Sequence, residues 1–193
     1  MPRTDSEIID NLVVQAQSGD RTAYSKLVRM MMNQVVALTY KMTGDKETAK
    51  DLAQETFISA WENLSGFRRD ARFESWLYRI ATNKTLNYLE RPSVKRMSLP
   101  INGNSEMILE SAGRGTGASP ESELIKKEMR EGILRFMYGL PAQQRIVFDL
   151  RFYKQLSFNE IAGVTGKSVG TVKTHYREAV SKLREYAIER GWR

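Results

Sequence analysis

The sequence predicts an all-α protein made of two small helical domains joined by a flexible linker. Three observations carry this. Apolar residues recur at three- and four-residue intervals through most of the chain, and no period-two stretch of useful length interrupts them. Residues 92–120 then break the pattern with Pro92, Pro100, Pro120, Gly103, Gly113, Gly115 and Gly117 among Ser, Thr and Asn, too polar and too interrupted to pack. The domains so delimited are 1–91 and 121–193.

Each element follows from its own residues. Ile8, Ile9, Leu12, Val13 and Ala16 mark a first helix that Gly19 stops. Asp20 caps a second, whose stripe runs through Tyr24, Leu27, Val28, Met31, Val35 and Leu38 to Gly44. The run Met30–Met32 reads as core filling plus a lightly exposed methionine. A third helix starts at Asp45 and places Ala49, Leu52, Ala53, Thr56, Phe57, Ala60, Trp61 and Leu64 on one face. A fourth covers about Glu74 to Glu90. Beyond the linker, Glu121 or Ser122 opens a helix through Leu124, Ile125, Met129, Ile133, Leu134 and Met137, ended by Gly139. Pro141 stands where a helix takes its first residue, and Ile146, Val147 and Leu150 follow.

Composition narrows the chemistry. The chain has 193 residues, is 41% hydrophobic and carries a net charge of +7. No apolar run approaches the roughly 20 residues that cross a bilayer. The N-terminus, MPRTDSEIIDNL, has no signal-peptide core, so a cytoplasmic protein is expected. There are no cysteines and one histidine, His175, which removes thiol catalysis and cysteine- or histidine-rich metal sites. GRGTG at 113–117 lacks a preceding strand and a following Lys-Ser/Thr, so it belongs to the linker and is no phosphate cradle. No carboxylate pair is marked for acid/base work. The chain is therefore expected to be no enzyme, with no catalytic residue, metal, cofactor or small-molecule substrate. A basic chain does suit a polyanion, because Lys and Arg contacts to phosphate release condensed counterions.

The strongest local signal is LSFNEIAGVTGKSVGTVKTHYREAVSKLRE, from Leu156 to Glu185. Ser157 and Glu160 form a capping box for a short helix, Gly166 closes it, and Ser168 caps a longer one. Two closely crossing helices need a small residue in the first, a glycine in the turn and a β-branched residue in the second. Ala162, Gly166 and Val172 meet those needs, which predicts a helix-turn-helix. Val172, Tyr176, Ala179, Leu183 and Tyr186 recur at core spacing. Ser168, Thr171, Lys173, Thr174, His175 and Arg177 lie toward the opposite side and are the candidate DNA readers.

Two blocks carry a family resemblance. DKETAKDLAQETFISAW with FRRDARFESWLYRIATNKTLNYLER resembles the conserved core of extracytoplasmic-function sigma factors of the sigma-70 family. LPAQQRIVFDLRFYKQLSFNEIA with SVGTVKTHYREAVSKL resembles the promoter-reading C-terminal domain of the same family. The resemblance implies a factor that binds core RNA polymerase and directs promoter-specific initiation. The helix from Asp45 to Leu64 resembles the surface that docks on the clamp coiled coil of the largest polymerase subunit. Asp51, Gln54, Glu55 and Ile58 lie opposite its apolar stripe, an acidic patch with one apolar centre that suits a basic helical partner. The segment from Leu64 resembles the part that opens promoter DNA at the minus-ten element. It offers Arg68, Arg69 and Arg72 to phosphate, Phe67 to stack on an extruded base, and Asn83 with Lys84 and Asn87 on a polar face to read and hold the strand. Trp76 reads as core. The last helix resembles the minus-thirty-five reader.

The same resemblance implies an anti-sigma factor as partner, and a linker whose Glu106 and Glu110 thread toward the polymerase active-site and RNA-exit region. Two positions depart from the family pattern: His175 stands where Arg is common, and Glu178 where a basic residue is common. A polymerase-independent helix-turn-helix regulator is the alternative. It leaves the acidic helix and the FRRDARFESWLYRIATN block without a role.

Overall fold

In the computed structural model the described backbone comprises residues 5–95 and 120–192. It is helical throughout: α1 Asp5–Gln17, α2 Arg21–Thr43, α3 Lys46–Asn63, a 3-10 turn Leu64–Gly66, α4 Phe73–Glu90, and a short α5 Pro92–Lys95. After residues 96–119 come α6 Pro120–Tyr138, α7 Ala142–Phe152, α8 Phe158–Thr165 and α9 Val169–Glu189.

Local chemistry sets the ends. The Asp20 carboxylate accepts from the backbone N–H groups of Thr22 and Ala23, and the Asp45 carboxylate from that of Thr48. These bonds hold the Asp45 carboxyl below its ordinary range. Gly44 ends α2 in the left-handed region at φ 72°, which costs glycine least, and its N–H returns to the Tyr40 carbonyl. Two boundaries differ from expectation. Pro141 is the N-cap of α7 rather than its first residue, and α6 opens one residue earlier, at Pro120. Pro120 has no N–H to waste at a helix start. Glu106 and Glu110 lie outside the described residues.

The first body packs α2 against α1, α3 and α4. Leu27, Met31, Leu38, Met42, Leu64 and Leu77 are shut off from solvent at its centre. The second body packs α9 across α7 and α8. Its centre is Ile146, Leu150, Ile161 and Val172, with an aromatic annex of Phe136, Phe148 and Met137. The two bodies touch: α8 lies along α4, and α6 and α7 meet α2. Ile146, Val147 and Leu150 join the same buried cluster as Leu38 and Met42.

Polar groups stitch this seam. Arg145 donates to the Met42 carbonyl at 2.6 Å and to the carbonyls of Tyr138 and Leu140 at 3.0 Å each. Met42 is in the last turn of α2, so the guanidinium satisfies a carbonyl with no helical partner at the negative end of the helix dipole. Burial pulls Arg145 down to about 10, still a cation at neutral pH. Lys154 donates to the Gln34 carbonyl at 3.2 Å.

Candidate nucleic-acid interface

The helix-turn-helix has the expected construction. The Ser157 hydroxyl accepts from the Glu160 N–H at 3.2 Å, and the Glu160 carboxylate accepts from the Ser157 N–H at 2.7 Å. That backbone bond holds the Glu160 carboxyl low. Gly166 makes the turn at φ 67°. The Ser168 hydroxyl accepts from the Thr171 N–H at 3.1 Å and lies 2.9 Å from the Thr171 hydroxyl, so both side chains belong first to the cap of α9. Val172 and Ala179 are fully buried against α7 and α8. Lys173 and Arg177 are exposed, while Thr174 and His175 are half-buried.

The minus-ten candidates surround a loop fixed from behind. The Gln17 amide donates to the carbonyls of Leu64 and Phe67, at 3.0 and 2.7 Å. Phe67 departs from expectation. It is only 7% exposed, edge-on to Phe73 and tilted on Trp76 at centroid distances of 5.9 and 4.9 Å. An aromatic ring just before a basic loop gains more from packing on Phe73 and Trp76 than from water, so it joins the core. The ring Trp76, read as core, packs against the core cluster and is half-buried. It lines a hollow of about 470 Å³ with Gly66, Phe67, Arg68, Asp70, Ala71 and Arg79.

Arg69 stands at the loop tip with φ 61°, a conformation that costs a residue with a side chain and fixes a sharp reversal there. Arg68 pairs with Asp70 at 3.2 Å and Arg72 with Glu74 at 3.0 Å, all near the surface. Asn83 and Asn87 are exposed on α4. Lys84 is half-buried, its ammonium 3.7 Å from the Glu55 carboxylate. Arg79, one turn after Trp76, lies on the same face and lines the hollow with it.

Asp51, Gln54, Glu55 and Ile58 form one exposed strip along α3, with Ile58 60% exposed. Beside Ile58 lies an apolar hollow of about 420 Å³ walled by Tyr24, Phe57 and Trp61, with Arg21 and Glu62 at its rim. Among the described residues no cluster of His, Cys, Asp and Glu has the form of a metal site, and no helix is long and apolar enough to cross a membrane.

This arrangement, a four-helix body with an acidic strip and a basic loop beside a helix-turn-helix body, defines a two-part transcription initiation protein. Family profiles agree: Sigma-70 region 2 matches residues 27–93 and Sigma-70 region 4 matches residues 130–183. The ECF RNA polymerase sigma factor SigW of Bacillus subtilis (strain 168) is 30% identical over 179 residues, 92% of this chain and 96% of that one. The ECF RNA polymerase sigma-E factor of Escherichia coli (strain K12) is 34% identical over 185 residues, 93% and 95% of the two chains. In fold, the chain is similar to CnrH in its complex with the cytosolic domain of CnrY, with TM-score 0.64, 23% identity and 92% and 96% coverage. It is also similar to the sigma factor RpoE in complex with the anti-sigma factor NepR from Bartonella quintana, with TM-score 0.61, 18% identity and 84% and 95% coverage.

The chain belongs to the extracytoplasmic-function sigma factors of the sigma-70 family. It directs RNA polymerase to promoters for specific initiation, and it is not an enzyme. The region 2 match accounts for the body that a polymerase-independent regulator leaves without a role.

Proposed function

We propose that the three exposed faces divide the work of initiation. The α3 strip of Asp51, Gln54, Glu55 and Ile58 docks on the clamp coiled coil of the largest polymerase subunit. Its carboxylates steer a basic partner and Ile58 is buried at the centre. The hollow beside Trp76, with Arg68, Arg69, Arg72 and Arg79 around it and Asn83, Lys84 and Asn87 further along α4, holds an unstacked minus-ten base and its phosphates. The first turns of α9 read the minus-thirty-five duplex, with Lys173, Thr174, His175 and Arg177 toward the groove and Ser168 and Thr171 shaping the entry. The protein acts in the cytoplasm, with promoter DNA and core polymerase as partners and an anti-sigma factor as its inhibitor.

The observation that carries this is the exposure of Ile58, a large apolar side chain 60% open to water in an acidic strip. A titration of core polymerase with Asp51→Lys/Glu55→Lys protein tests it. Affinity should fall at least about tenfold with unchanged circular dichroism, as expected when rim charges are reversed against a basic partner. Unchanged affinity would remove α3 from the docking surface.

A further inference from the structure

Glu178 lies on the minus-thirty-five helix one turn beyond His175, where a free carboxylate would repel DNA. Its surroundings give it another task. One carboxylate oxygen, Oε2, accepts from the Gln144 amide Nε2 at 2.7 Å and lies 3.9 Å from His175 Nδ1. The other end of the Gln144 amide, Oε1, accepts from the Lys182 ammonium at 2.9 Å. Lys has only donors, so Oε1 must face Lys182 and Nε2 must face Glu178; the amide has one orientation. Gln144 is itself buried, at 9% exposure, on the first turn of α7.

His175 Nδ1 is closed to water and has no hydrogen-bond partner. The Glu178 carboxylate oxygen Oε2 lies 3.9 Å from it, beyond hydrogen-bond reach but close enough to act through its charge. A ring nitrogen lone pair turned toward a carboxylate is repelled, whereas an N–H is attracted, so the proton of a neutral ring sits on Nδ1. Nε2 then carries the lone pair.

We propose that Gln144 is a positioning residue for promoter reading: it holds the Glu178 carboxylate away from DNA and against His175 Nδ1, so that His175 presents Nε2 to the major groove as a hydrogen-bond acceptor. Such an acceptor is met by the exocyclic amino group of adenine or cytosine on the strand it faces, and by neither guanine O6 nor thymine O4. An arginine at position 175 offers only donors and makes the opposite choice. The pair His175 and Glu178 therefore works as a unit, and the Lys182 ammonium offsets the carboxylate's charge. This rests on the proposal that α9 reads the minus-thirty-five element.

The test is a selection of duplex promoters, randomised across the minus-thirty-five element, by core polymerase carrying the full chain. The wild-type protein should prefer adenine or cytosine at one position, by on the order of five- to tenfold. His175→Ala should erase that preference. Glu178→Gln, an isosteric change at an exposed position, and Gln144→Ala should each flatten it at that position alone. If His175→Ala flattens one position while Glu178→Gln and Gln144→Ala leave it intact, the positioning role is overturned and α9 remains the reader. If His175→Ala and Lys173→Ala move no position, the assignment of α9 falls as well. A uniform loss across all positions in Gln144→Ala and Glu178→Gln would make both residues merely structural and overturn the proposal.

Discussion

The Lys41 ammonium lies 2.8 Å from the Asp149 carboxylate, with side-chain exposures of 2% and 0%, although 108 residues separate them. Lys41 sits near the end of α2 and Asp149 in the middle of α7, so the pair bridges the two bodies. The Tyr153 ring closes over the ammonium at 3.5 Å from its centroid. One carboxylate oxygen of Asp149 makes no hydrogen bond. The pair is dry and incompletely satisfied, so its net contribution rests on keeping both charges together.

Breaking one side of it should therefore be costly and breaking both mild. Lys41→Met or Asp149→Leu alone leaves a buried uncompensated charge, worth about 3–5 kcal/mol of packing between the bodies. The double variant should recover most of that loss. Energy transfer between dyes on the two bodies, followed through a urea titration, reads all three. Equal losses in single and double variants would show that the pair holds nothing.

Packing between the bodies should also tighten with alkali. Burial pulls Lys154 from its ordinary 10.5 down to about 8; Lys41 acts in the same direction and Asp149 against it. Between those two pH values the closed chain has released a proton that an open chain keeps, so rising pH favours the closed form. Below pH 8 both forms are protonated and the full cost of burying the charge is present. Above pH 10 the trend reverses, because burial raises the phenols of Tyr78, Tyr138 and Tyr153 above their ordinary value and the open chain ionises first. Energy transfer from pH 7 to 9.5 should rise, and Lys154→Met should flatten it.

Two residues of the hollow beside Trp76 should separate stability from opening. Phe67→Ala empties an aromatic cluster and should cost about 3–5 kcal/mol by denaturation. Arg79→Ala, exposed at the mouth of the hollow, should leave stability unchanged and reduce permanganate reactivity of the minus-ten thymines about tenfold, as loss of one base contact does. Normal opening in Arg79→Ala would move the base elsewhere.

Gly132 in α6 is reserved for a ring. A Cβ built there would run into the tip of the Trp192 indole. Gly132→Ala should shift Trp192 fluorescence toward the solvent value and lower stability. In a Trp192→Ala chain the same change should raise stability by up to about 1 kcal/mol, the ordinary advantage of alanine in a helix. Identical effects in both chains would show the two residues to be uncoupled.

The helix ends were legible in the sequence because each is decided within a few residues: Asp20, Gly44, Asp45, Ser157 with Glu160, Gly166 and Ser168 all stand at the ends expected of them. Ala162, Gly166 and Val172 are spaced for two crossing helices for the same local reason. Lys41 and Asp149 look like two solvated charges until the fold pairs them, and nothing near either residue marks the other. The burial of Phe67 is not legible in the sequence because a loop aromatic reads alike whether its face meets a base or Phe73 and Trp76. Gln144 went unnoticed because its two partners lie 34 and 38 positions away.

The contact of α8 with α4 bears on how strongly the protein can hold a promoter. Because α4, α8 and α9 lie side by side, the two helices proposed to read the promoter are within about three helix widths, ~30 Å. The minus-ten and minus-thirty-five elements are about 25 base pairs apart, or ~85 Å along B-form DNA. On the proposed assignment of α4 and α9 as readers, one molecule occupies both elements only after α8 leaves α4, and the apparent promoter affinity is the intrinsic one multiplied by the fraction of open molecules. Each 1.4 kcal/mol held in the seam of Lys41, Arg145 and Asp149 divides that affinity by about ten. Any partner that stabilises the open form strengthens DNA binding by the same factor without touching a base.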